Sequence, residues 1–192
     1  MDDQFFKIQN RLSLAKGRIL LSEPFLEDFY FKQAVILIVS HSEEGAVGFV
    51  LNHPVAVPFQ ELMPDFPPIS AKLSLGGPVS PDALQFIHAR RDLFPDSEEV
   101  MPGLYWGGDF ALLQGFFQDG MLQSDEVFFF LGYAGWSPGQ LESELKENSW
   151  KITELSAAEV FQVKSESWVD LMEKQGPKYR LWANFPVNPE LN

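Results

Sequence analysis

The sequence predicts an α+β fold, a single compact domain in which largely antiparallel sheets are flanked by short helices. Three observations lead there. Short apolar and β-branched runs recur between glycine and proline punctuation. The run Ala34 to Ser40 is joined to Ala46 to Leu51 by only His41-Ser42-Glu43-Glu44-Gly45, a hairpin-length connection. Helical periods fall among the strands without the regular strand–helix–strand alternation of a parallel sheet. A chain of 192 residues, 45% hydrophobic with 18 phenylalanines, can bury a substantial core, about 70% of its unfolded surface.

Taken in order, Phe5, Ile8, Leu12 and Ala15 recur at helical spacing and predict an amphipathic N-terminal helix over residues 1–16, closed by Gly17. Strands follow at Arg18 to Ser22 and in the hairpin. Pro58 to Met63 reads as a helical turn; Leu73 to Leu75, Ala83 to His88 and Leu104 to Trp106 read as strands. Asp109 is placed to cap a helix running through Phe117, which Gly120 ends. Trp150 to Leu155 reads as a strand, and Ser156-Ala157-Ala158-Glu159 as a capping box. The last helix carries Trp168, Leu171 and Met172 on one face and stops at Gly176; residues 186–192 read as a tail.

The densest signal spans 126–145. Glu126 to Leu131 is an aromatic strand that the glycines at 132 and 135 should end. Ser137 is expected at an N-cap with Pro138 at the first helical position, Gln140 reaching back as a capping box and Leu141 and Leu145 facing the core. Gly135-Trp136-Ser137-Pro138-Gly139 also matches the nucleophile elbow of serine hydrolases. Two facts oppose that chemistry. The elbow takes an oxyanion donor from the amide after the serine, and proline has none. All three histidines, His41, His53 and His88, precede the serine, the reverse of that fold's order.

Composition excludes further classes. Cysteine is absent, so thiolate chemistry, disulfides and cysteine metal sites are absent too. The histidines lack metal-ligand spacing, and no metal or cofactor is implied. A net charge of −13 opposes a phosphate backbone, so direct nucleic-acid binding is disfavoured. No run approaches a membrane span and no signal peptide opens the chain, so the expected location is the cytoplasm. An acidic surface suits a protein partner; nothing in the sequence sets an oligomeric state.

Four segments, in order, carry a resemblance: Gly48-Phe49-Val50-Leu51-Asn52-His53-Pro54, Leu75-Gly76-Gly77-Pro78-Val79, Leu84 to His88, and Leu131 to Glu144 with Gly132-Tyr133-Ala134-Gly135-Trp136-Ser137-Pro138-Gly139-Gln140-Leu141-Glu142 at its centre. Together, over residues 17–176, the chain resembles the YqgE/AlgH family of bacterial proteins. The resemblance implies a domain of bifurcated, strongly coiled sheets spanning 17–185, with the N-terminal helix as an addition. It implies a function largely uncharacterised, with a transcriptional-regulator label in one branch and no catalytic set or cofactor to carry over. His53 departs from the basic residue more usual there.

If the motifs build a site, Asn52, His53, Gly76, Gly77, His88, Tyr133, Trp136, Gln140 and Glu144 should converge. Each also has a structural role open to it: turn former, tight bend, core aromatic or helix cap. Glu142 and Glu144 are two apart on a helix and face different ways, so they make no acid–base pair. Three readings result: a non-catalytic protein acting through protein interaction, with indirect transcriptional regulation as one form of that action; a small-ligand-binding protein; and an enzyme using His88 or His53 with a carboxylate.

Overall fold

The computed structural model describes residues 7–26 and 28–184. The chain opens with β1 (Ile19–Ser22), β2 (Val35–Ser42) and β3 (Gly45–Val50), then a single turn of helix, α1 (Phe59–Leu62). Next come β4 (Lys72–Leu75), β5 (Val79–His88), β6 (Glu98–Met101), β7 (Leu104–Trp106) and α2 (Phe110–Gln118). The second half holds β8 (Val127–Trp136), α3 (Gln140–Lys146), β9 (Trp150–Thr153), α4 (Ala157–Gln162), α5 (Ser167–Glu173) and α6 (Pro177–Ala183). The strands order as β6-β7-β5-β8-β3-β2-β1-β9, and β4 branches off β8. The β4–β8 pair is parallel; the other strand pairs described are antiparallel. An α+β domain with a bifurcated, largely antiparallel sheet is therefore the observed fold.

The branch lies within β8. Its first half, Phe128 to Leu131, pairs with β4 on one side, while Val127 to Leu131 and, across a register shift, Tyr133 pair with β5 on the other. Its second half, Ala134 to Trp136, pairs with β3. Gly132 marks the change of partner at φ +67°, a left-handed conformation that disfavours a side chain. Gly76 fills the fork: its N–H donates to Leu131 O at 2.8 Å and its carbonyl accepts from Val50 N at 2.9 Å. The strand thus runs through the glycines expected to end it, because a left-handed glycine bends a strand without forcing it to stop.

Alternation along the strands builds three cores. Val35, Leu37 and Val39 of β2 face a core closed by Val160, Trp168 and Met172, whereas Ile36 and Ile38 face another with Leu141 and Trp150. In β8, Phe128 and Phe130 enter the first core, Val127 and Phe129 enter a third beneath α1 and α2, and Ala134 and Trp136 enter the second. Strands buried on both faces read as continuous apolar runs, which is why β2 and β8 stand out in the sequence. Phe49 stacks on Phe130 with ring centroids 4.5 Å apart.

Several expectations need correction. Residues 7–16 form no helix, and 1–6 lie outside the described residues, as does the tail. The segment instead straps the open edge of β9: Asn10 donates to Trp150 O at 3.0 Å and accepts from Ile152 N at 2.7 Å. Ile8 packs on the first core and Leu12 on the second, so burial at a sheet edge produces the spacing that mimics a helix. Ser137 does not cap α3. Gly139 takes the N-cap position at φ +75° with no side-chain cap, although Gln140 Oε1 does reach back to Ser137 N at 3.0 Å. β6 and α6 are additional elements. Asp109 caps α2 and Ser156 closes a capping box on α4, as expected.

A methyl group at Gly76 would lie 2.3 Å from Gly132 O and 2.9 Å from Phe130 Cβ, so Gly76→Ala should destabilise the fold by about 3 kcal/mol. Gly115→Ala, inside α2 with nothing within 4 Å, should stabilise by up to about 1 kcal/mol. Urea unfolding of both variants checks the pair; equal effects would contradict the fork geometry.

Candidate functional site

At the end of β8 the long motif folds onto itself around one carboxylate. Glu144 Oε2 accepts from the indole N–H of Trp136 at 2.9 Å and from that of Trp150 at 2.7 Å. Its Oε1 accepts from Gln140 Nε2 at 2.9 Å. One helix turn separates Gln140 from Glu144, so both side chains share a face of α3, and the two indoles meet edge to face at 6.1 Å. Glu142 points elsewhere, accepting from His41 Nε2 at 2.9 Å, which holds its carboxyl below the usual range. Glu144 is thus not a solvated helix residue; it ties β8, α3 and β9 together, with its acceptors occupied. Trp150 is the member that spacing does not reveal.

Asn52 is buried and fully used. Its Oδ1 accepts from Val35 N at 2.7 Å, and Nδ2 donates to Gln33 O at 2.8 Å and to Ser165 O at 3.4 Å. Those bonds hold Gln33 in its left-handed conformation at the entry to β2. His53 sets its Nε2 against Lys32 O at 3.1 Å, and burial lowers its pKa. The Gly76-Gly77 pair passes so close to β8 that an added Cβ would strike Gly132 O or Tyr133 C at 2.3 Å. With the Gly76 amide already bonded, this is a packing device more than an anion cradle.

His88 lies where β5 meets the start of β8, paired with Val127. It is fully buried, 4.6 Å from the Phe94 ring and 5.7 Å from Tyr105. Nδ1 accepts from Arg90 N at 3.1 Å and Nε2 donates to Gly107 O at 3.0 Å, which defines a neutral ring with both nitrogens occupied. Burial dominates its titration, pushing the pKa down to about 4.

The candidate residues therefore do not converge. Trp136, Gln140 and Glu144 form one network, with Tyr133 beside Trp136 in a shallow depression. His88 is nine residues away along β8, up to about 30 Å. Asn52 borders a separate cleft of about 670 Å³. Its walls are the loop Pro54 to Pro58 and Ile69 to Ala71, its floor includes Leu73 and Phe128, and Lys72 and Lys164 stand at its rim. No sequence signal marks these lysines, because β4 and the segment after α4 meet only in the fold. Among the described residues, no group of three metal-ligating side chains could hold a metal ion, and no helix is long and apolar enough to cross a membrane.

Glu144→Ala would leave two indole N–H groups without their acceptor and should cost about 2–4 kcal/mol. Ser137→Ala, at an exposed serine with no side-chain bond to α3, should stay within about 0.5 kcal/mol; chemical denaturation followed by tryptophan fluorescence compares them. For His88, the folded pKa of about 4 lies below the ordinary 6.5. Its stabilisation is thus complete above about 6.5 and is lost as pH falls from there through about 4. NMR titration of the ring checks this; a midpoint at or above 6.5 contradicts the buried, neutral assignment.

Comparison with known proteins places this geometry. The profile of the AlgH-like family matches residues 19–180. A UPF0301 protein of Chlorobium luteolum is 40% identical over 180 residues, covering 93% of this chain and 95% of its own. One from Cytophaga hutchinsonii is 39% identical over 181 residues, covering 93% and 100%. Among solved structures, a Corynebacterium diphtheriae protein shares the fold at TM-score 0.73 and 23% identity, over 92% of this chain and 95% of that one. The solution structure of the Pseudomonas aeruginosa AlgH protein, a UPF0301 member, aligns at TM-score 0.68 and 26% identity, over 94% and 100%. The chain belongs to the AlgH-like, UPF0301 family.

Proposed function

We propose that this protein is non-catalytic and acts by binding another protein. The observation that carries the reading is the loop between β1 and β2. Phe29 is 75% exposed and Phe25 51%; every other phenylalanine among the described residues is buried or half-buried. Exposed aromatic side chains on an acidic surface are what a protein partner engages, since aromatic anchors dominate interface energies.

The groups that an enzyme would need support the same reading. His88 has both ring nitrogens bonded, His53 is turned to a backbone carbonyl, and the carboxylate in the motif holds two indoles. Action on transcription would pass through the partner, because a net charge of −13 repels a nucleic-acid backbone. A second reading, small-ligand binding, is favoured by the composition of the cleft beside Asn52.

Affinity purification from the native cell should return one partner in stoichiometric amount, lost with Phe25→Ser/Phe29→Ser while the far-ultraviolet spectrum is unchanged. Recovery of the same partner by that variant, or no stoichiometric partner at all, would overturn the reading.

A further inference from the structure

The cleft beside Asn52 departs from the rest of the surface in charge. In a chain with 27 acidic and 14 basic residues, its lining contains Lys72 and Lys164 and no carboxylate. The remainder is mostly apolar: Val55, Ile69 and Ala71 are half-buried, and Pro54, Ala56, Val57 and Pro58 are exposed. Neither ammonium has a carboxylate within 4.0 Å among the described residues. Glu166 feels the Lys164 charge; with Glu159 and Asp170 it lines a neighbouring depression that both lysines also border.

Lys72 is held in place. Its Nζ donates to Val163 O at 3.1 Å and to Phe161 O, and sits 5.6 Å from the Phe128 ring centroid. An ammonium has three protons, so one remains for a ligand. The Lys164 ammonium makes no hydrogen bond among the described residues, and its charge adds to burial in holding the Lys72 ammonium below its ordinary range. Two like charges kept together beside an apolar wall are relieved by one anion reaching both.

We propose that this cleft binds a small amphiphilic carboxylate, its apolar body against Pro54 to Pro58 and Ile69 to Ala71 and one carboxylate oxygen toward each of Lys72 and Lys164. The volume of about 670 Å³ is that of a small-molecule site. The apolar body gains from burial, and the head group pairs with ammonium groups at the rim, where they remain partly hydrated. A highly charged, strongly hydrated anion such as free phosphate has no use for the wall and is not the ligand this composition selects. The inference uses residues other than Phe25 and Phe29, so it stands or falls apart from the partner proposal.

Octanoate is the probe, with 1-octanol as its neutral counterpart and inorganic phosphate as the head-group control. In amide NMR titrations of the full chain, octanoate should saturate with shifts in residues 54–58 and 69–72. Octanol and phosphate should each bind at least about ten-fold more weakly. Lys164→Gln, which breaks no bond of the fold, should weaken octanoate by about ten-fold and leave octanol unchanged. Ala56→Trp should block the cleft and abolish both. No octanoate binding, equal binding of octanol, phosphate binding as tight as octanoate, or shifts confined elsewhere would each overturn the proposal.

Discussion

The fold depends on the close approach of three glycines at the centre of β8. With Gly76 and Gly132 in contact and Gly77 against Tyr133, one strand can exchange β4 for β3 without a break while β5 stays beside it as far as Tyr133. No residue with a Cβ fits at 2.3 Å from a backbone oxygen. Every layer depends on that fork. Side chains of β8 alternate into two cores before it and reach a third beyond it, so one strand contributes to the whole interior.

The long motif at the end of β8 is the second half of the same construction. Beyond the fork, the strand must be anchored to the helix and strand that come after it, and the Glu144 carboxylate does this with three donors from β8, α3 and β9. A carboxylate that accepts two indole N–H bonds and one amide N–H bond is geometrically fixed. Such a residue carries the appearance of a functional acid while serving as a joint. His88 presents the opposite case: a titratable group whose charged form is disfavoured by burial, with a donor and an acceptor on its two nitrogens.

Legibility in the sequence depends on whether the controlling contact is local. The hairpin, the Asp109 cap and the Ser156 capping box are readable because their partners lie within a few residues. The N-terminal segment misleads because its apolar spacing suits a helix, while the bonds of Asn10 that decide its conformation go to β9, some 140 residues away. Gly132 resembles a stop because the partners that let the strand continue come from three other strands. Ser137 resembles a cap because a serine before a proline suits that position, whereas the left-handed Gly139 starts α3 two residues later. The motif residues stand out in the sequence, but only the donors to Glu144 separate a joint from a site. The cleft has no local signal at all: Lys72 opens an ordinary strand, and Lys164 lies just past a short helix.

The cleft and the fork are consistent with each other. A doubly buried sheet supplies the floor through Leu73 and Phe128, while loop residues 54–58 and 69–71 supply the walls. The central claim is that β8 welds the two branches into one cooperative unit, and native-state hydrogen exchange of its amides from Val127 to Trp136 tests it most directly. The account predicts that amides on both sides of Gly132 exchange with one common free energy, equal to that of global unfolding. Two separate levels, with the β3 side opening while the β4–β5 side stays protected, would contradict it.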